Sequence, residues 1–289
     1  MNNKSIYLAL APNIVRRTTQ DIQRLFPDLD LIPPQTHQEM EAFSETYGSG
    51  DIPALSICAY PQFFRGVLEH QDKDVFAPVP DFLPPMRREL TTLGLGEPSP
   101  YIRVVAGVPF VIAARKDVDP PITDWKDLCR EDVSGRVAVP PDDTPVPRLF
   151  DTIMRATYGD EAEGVIAAKD TRFTPLDINK QVDAGQFAAG VSIPDFSRSF
   201  RNNGGHMVWP ASGAWVVPLI ACVRRDAAPR VFDFLNYLLS QEYQQYIAHT
   251  GHLVPVVEGV PWFQEMVDGG AGLIWAGWKA LADLGAPTH

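Results

Sequence analysis

Apolar positions along the 289-residue chain switch repeatedly between short continuous runs and helical spacing. Ser5 to Ala11 is an apolar run that ends in Pro12-Asn13, after which Ile14, Ile22, Leu25 and Phe26 recur at helical intervals, so the opening reads strand, turn, helix. Leu29 to Ile32 fits a second strand. Thr36 then heads a T-x-x-E capping box with Glu39, and Met40, Phe43 and Tyr47 form the apolar face of a helix that Gly48 stops. Ala54 to Ala59 reads as the next strand, broken by Tyr60-Pro61. Strands and helices alternating at this length predict the α/β class, with a parallel, helix-covered sheet.

Six prolines fall between Val75 and Pro100, which marks a loop-rich stretch after the opening unit. Val104 to Ala114 is apolar and β-branched but contains Gly107-Val108-Pro109, and reads as two strands or one long bent one. A short helix is expected from Thr123, a strand over Gly135–Pro140, a helix over Leu149–Thr157 closed near Gly159, and another over Asp177–Ala184 closed by Gly185. Phe187 to Ile193 reads as a strand closed by Pro194. Met207–Pro210 and Trp215–Val223 are expected to pair around Ala211-Ser212-Gly213. Pro229 suits the first position of a helix whose Phe232, Leu235 and Leu239 face one way, and Ser240 opens a last helix ending near Gly251.

Composition narrows the function classes. A net charge of −11 with no run of five Lys or Arg disfavours nucleic acid and anionic membrane surfaces as partners. No apolar run approaches the roughly 18 residues of a membrane span, and the N-terminal run is too short for a signal-peptide core, so neither membrane insertion nor an export signal is expected from the chain as written. Cys58, Cys129 and Cys222 lie far apart without metal-ligand spacing and read as small core residues; no metal or cofactor is expected.

Catalytic signatures are absent: there is no GxSxG elbow, GxxxxGK[ST] loop, HExxH pair or GxGxxG turn, and the six histidines are scattered. Polar turns after apolar strands carry more information, because ligands of open α/β sheets collect where strands deliver their carboxyl ends and helices present free N–H groups. Five such turns supply Asn13, Tyr60, Asp143, Thr144, Asp195, Ser212 and Trp215 as candidate contacts for a small polar ligand. Helix capping by Asn13 or Thr144, and packing by Tyr60 or Trp215, are the competing structural roles.

Three motifs resemble the type 2 periplasmic solute-binding proteins of ABC importers, in the ferric-iron, thiamine and phosphonate branch. They are Gly50-Asp51-Ile52-Pro53-Ala54-Leu55 followed by Tyr60, then Pro121-Ile122-Thr123-Asp124-Trp125-Lys126-Asp127-Leu128, then Ser134-Gly135-Arg136-Val137-Ala138-Val139-Pro140. Val182-Asp183-Ala184-Gly185-Gln186, Trp209-Pro210-Ala211-Ser212-Gly213-Ala214 and the helices from Phe232 to Gly251 extend the likeness over about residues 5–256. The resemblance implies a two-lobed fold with crossover hinge strands, lobe one over 1–107 and 211–289 and lobe two over 108–210, closing on a ligand held in the cleft. It implies a monomeric, non-enzymatic binding component working with an ABC permease, and a periplasmic or extracellular location; a cytoplasmic location follows if the sequence is the full native chain. Ferric-binding members use adjacent tyrosines on the second lobe, whereas this chain has Pro194-Asp195-Phe196 there and no Tyr-Tyr pair, which turns the expectation away from iron. Two alternatives use the same fold: a cytoplasmic metabolite sensor, and an enzyme of the porphobilinogen deaminase kind, for which Cys58 is the one cysteine placed to carry a cofactor.

Overall fold

The computed structural model describes residues 1–10, 12–32, 52–71, 74–142 and 144–286, and among these residues nine strands organise the chain. They are β1 (Ser5–Leu8), β2 (Asp30–Ile32), β3 (Leu55–Cys58), β4 (Arg103–Arg115), β5 (Val137–Ala138), β6 (Ala189–Ser192), β7 (Gly205–Val208), β8 (Ala214–Val223) and β9 (Leu273–Ile274). The chain divides into two compact units. The first is Met1–Val108 with Val217–Trp262 and Gly277–His289; the second is Pro109–Val216 with Phe263–Ala276.

In the first unit β1 lies between β2 and β3, parallel to both, and β3 pairs antiparallel with β8, Leu55 opposite Val223 and Cys58 opposite Ile220. The expected parallel core is present, with one antiparallel member. Helix Pro12–Leu25 follows β1, burying Ile14 and Ile22, and helix Pro61–His70 follows β3, burying Phe63, Phe64 and Val67. Helix Gln241–Gly251 begins where the Ser240 hydroxyl accepts the Tyr243 N–H at 3.2 Å, a side-chain cap of the kind its sequence predicts. Gln244 on this helix is fully buried: its amide donates to the Val105 and Leu238 carbonyls at 2.9 and 2.8 Å, and its carbonyl accepts the Val256 N–H at 2.8 Å. One side chain thus satisfies three backbone groups from three separate segments.

In the second unit β4 is flanked by β6 and β7, both antiparallel to it, and β5 runs parallel to β6. Helix Pro175–Asp183 packs against β6 so closely that a Cβ on Gly190 would meet the Ile178 Cγ2 at 2.3 Å. The Asp183 carboxylate accepts the N–H groups of Asn202, Gly204 and Gly205 at 2.6 to 3.0 Å and so fixes the loop before β7. Burial pushes its acidity down, but those backbone donors outweigh burial and hold the carboxyl below its ordinary value.

Two expectations need correction, and one open choice is decided. Met207–Pro210 and Trp215–Val223 do not pair with each other: β7 pairs with β4, while β8 pairs with β3 and, at Ala214 and Trp215, with β9. On helix Pro229–Leu238 the buried face is Val231, Phe234, Leu235 and Leu238, and Phe232 is left half-exposed. Of the two readings of Val104–Ala114, one continuous strand holds, because the residues around Gly107-Val108-Pro109 stay extended within β4. The helix expected from Thr36 to Gly48 lies outside the described residues.

Candidate functional site

Parallel strands deliver their carboxyl ends to one edge of a sheet, and in each unit that edge collects two of the residues singled out from the sequence. In the first unit β1 and β3 are parallel neighbours, and Ala9 N–H continues their ladder to the Ile57 carbonyl at 2.8 Å. Asn13 follows β1 in the first turn of its helix, where its amide donates to the Thr250 carbonyl. Tyr60 follows β3, extended at φ −80° and ψ 132°, immediately before the Pro61–His70 helix. Its N–H donates to the Cys58 sulfur at 3.3 Å.

The second unit repeats the arrangement with β5 and β6. The turn after β5 holds Thr144, whose hydroxyl donates to the Pro141 carbonyl at 2.7 Å and accepts the Val146 N–H at 3.4 Å. That turn is tied down by Thr171, which donates to Asp142 at 2.7 Å, and it launches helix Val146–Tyr158, whose first turn carries no acidic residue. The turn after β6 is Pro194–Ser199, with half-buried Asp195 near its start. Asp143 lies outside the described residues.

Two residues at this second edge were not singled out from the sequence. Ser192, the last residue of β6, and Asn179, on the helix packed against β6, are both fully buried, and the Ser192 hydroxyl and the Asn179 carbonyl have no hydrogen-bond partner among the described residues. The Asn179 amide nitrogen donates to the Phe196 carbonyl at 2.9 Å, which holds its orientation next to the Asp195 turn. Leaving a buried polar atom unmet costs about 1–3 kcal/mol, so two of them beside one turn mark a place prepared for polar contact. The signal was present in principle: Ser192 interrupts an apolar strand, and Asn179 occupies an inward position next to Ile178 and Val182.

Ser212 and Trp215 belong to a different cluster. Asp124 accepts the Trp125 N–H at 2.7 Å and both the N–H and the hydroxyl of Ser212, capping the short helical turn Trp125–Cys129. The Trp125 indole donates to the Gly213 carbonyl at 2.9 Å and stacks on Trp215 with centroids 3.7 Å apart and planes 10° off parallel. Phe150 meets Trp215 edge-on at 5.7 Å, and Trp215 is 1 % exposed. Gly213 has φ +113°, and a Cβ there would meet the Gly272 carbonyl carbon at 2.8 Å. Tyr158 bonds the Ser212 side chain, and burial raises its phenol. Tyr158 ends the helix that Thr144's turn begins, about 18 Å along its axis from the first residue. Ser212 thus meets the end of that helix far from Thr144, while Trp215 meets it at Phe150, about one turn from its start.

The cysteines bear on the enzymatic alternative. Cys58 is fully buried, and burial pushes its thiol up to about 12; Cys222 is raised well above its ordinary value for the same reason. Neither forms the thiolate that covalent cofactor chemistry needs near neutral pH. Titration of the native chain with a thiol-reactive disulfide at pH 8 is expected to modify half-exposed Cys129 alone, and all three cysteines after denaturation. Rapid native modification of Cys58 would contradict this placement. Among the described residues no group of three or more His, Cys, Asp or Glu is placed to hold a metal ion, and no helix is long and apolar enough to cross a membrane.

Comparison with known proteins follows the same lines. The family model described as bacterial extracellular solute-binding protein matches residues 62–283. Solved structures similar to the chain include a ferric-binding protein from Campylobacter jejuni, 16 % identical, covering 97 % of this chain and 95 % of that one with a TM-score of 0.74. The apo ferric ion-binding protein A of Pasteurella haemolytica is 14 % identical over 97 % of this chain and 93 % of its own, with a TM-score of 0.76. An iron- and citrate-bound protein from Trichodesmium is 15 % identical over 97 % and 95 %, with a TM-score of 0.72. At these identities the likeness concerns the fold. No curated protein sequence matches the chain.

Proposed function

The chain belongs to the bacterial extracellular solute-binding proteins, and from that premise we propose that it captures a small polar organic solute without transforming it, and hands it to an ABC-type permease outside the cytoplasm. The observation that carries the reading is the pair of buried, unmet polar atoms, Ser192 Oγ and Asn179 Oδ1, at the carboxyl edge of β6 beside Asp195. A hydroxyl that donates or accepts, an amide carbonyl that accepts, and a neighbouring carboxylate suit a solute with its own N–H or O–H donors. Asn13 and Tyr60 are proposed contacts at the carboxyl edge of the first unit's sheet. Ser212 and Trp215, assigned to binding on sequence grounds, are proposed to support the fold around the second unit's edge.

The ferric-binding relatives raise iron as a competing cargo. Among the described residues the proposed contact set has a single carboxylate, Asp195, and the sequence has no adjacent tyrosines, so the organic solute is favoured. Titration calorimetry against amino acids, polyamines, dicarboxylates, phosphonates and ferric citrate provides the test. A ligand is expected in one of the organic classes, with Ser192→Ala and Asn179→Ala each weakening it about tenfold or more through loss of a buried hydrogen bond. Ferric ion as the sole ligand, or unchanged affinity in both variants, would remove the reading.

A further inference from the structure

Phe82 is 63 % exposed, more than any other large apolar side chain among the described residues. It is not displayed by a loose loop. The Leu83 N–H closes a turn onto the Pro80 carbonyl at 3.2 Å, Leu83 itself is buried, and the Val79 N–H is held by the Pro100 carbonyl at 2.7 Å. The ring lies along a shallow groove of the first unit whose lining includes Pro78, Pro80, Asp81, Phe82, Phe232 and Asp233. Phe232 is the residue that the helix periodicity assigned to the core and the fold left half-exposed. An aromatic anchor held rigidly at a surface, with a second ring and prolines beside it, has the composition of an interaction hot spot.

Charge decides what fits it. Asp81 is exposed and has no ion pair among the described residues. Asp233, also exposed, pairs only with Arg230 at 3.3 Å. Among the described residues the groove lining carries these two carboxylates and no cation, and the Arg230 guanidinium that pairs with Asp233 is also engaged by the Leu25 carbonyl, by Asp28 and by the face of Phe26. The rim is therefore net acidic, on a chain of net charge −11.

We propose that this face is a docking surface for a partner protein, and that the occupant is an apolar segment bearing lysine or arginine: its aliphatic or aromatic side chain covers Phe82 and Phe232, and its cation meets Asp81 and Asp233. A second copy of this chain is disfavoured because it would bring another acidic rim to the same place. The proposal is independent of the solute site.

A fluorescein-labelled, acetylated peptide of alternating leucine and lysine, titrated onto the full chain and followed by anisotropy, is the probe. Binding is expected to weaken about tenfold or more in Phe82→Ala and several-fold in Asp81→Asn, to fall with salt, and to survive Val267→Ala, which removes an exposed apolar side chain elsewhere. Circular dichroism of Phe82→Ala is expected to match the parent, since the side chain is outside the core. Affinity unchanged in Phe82→Ala, equal binding of a leucine/glutamate peptide, or concentration-dependent dimerisation abolished by Phe82→Ala would each overturn the proposal.

Discussion

Replacing Trp215 by alanine is expected to destabilise the second unit by about 3–5 kcal/mol, the range for deleting a large buried aromatic side chain. Trp215 is fully enclosed, stacked face to face on Trp125 and bounded by the edge of Phe150. Its removal opens a cavity and frees Trp125, whose indole N–H holds the Gly213 carbonyl. Trp215→Phe keeps much of the apolar contact and is expected to cost clearly less. Urea unfolding followed by near-ultraviolet dichroism provides the measurement. A loss under about 1 kcal/mol in Trp215→Ala would show that the side chain is not the centre of this packing, and would return it to the list of solute contacts.

Gln244→Leu is expected to be nearly as damaging, about 3–5 kcal/mol, although it preserves side-chain volume. The amide meets two carbonyls and one N–H, from Val105, Leu238 and Val256, in a fully buried position. Leucine fills the space and leaves those groups facing an apolar surface, at about 1–3 kcal/mol for each group that finds no other partner. Amide hydrogen exchange gives the sharper readout: protection at Val256 is expected to fall first, because its N–H loses its acceptor. A variant as stable as the parent, with Val256 still protected, would mean that the three backbone groups are met in another way.

How much of this was legible follows from how local each determinant is. Helix starts were readable where their causes lie within a few residues: Ser240 accepts the Tyr243 N–H, and Pro229 occupies a first position where its missing donor is harmless, whereas the helix expected from Asp177 begins at Pro175 behind the Thr174 cap. Helix stops at Gly159 and Gly185 were readable for the same reason, since both adopt positive φ. The contacts of Ser212 and Trp215 were not. They depend on Asp124 and Trp125, 88 residues away in the chain for the Asp124–Ser212 bond, and the sequence holds no local mark of that meeting. Ser192 and Asn179 are visible in the sequence as polar residues at inward positions, but that the Ser192 hydroxyl and the Asn179 carbonyl are sealed from water unmet is a property of packing.

The sequence by itself determined the class of fold and the order of strands and helices, because periodicity, caps and strand-end turns are short-range. Only the tertiary structure decided which strands are neighbours, pairing β7 with β4 and β8 with β3 and β9. It also decided that Phe263–Ala276 joins the second unit, through the Trp209 indole bonded to the Gly272 carbonyl at 3.0 Å and packed on Phe263 at 5.8 Å. Those choices rest on contacts between distant segments, whose stability comes from burying complementary surfaces, and complementarity does not exist until both surfaces have formed.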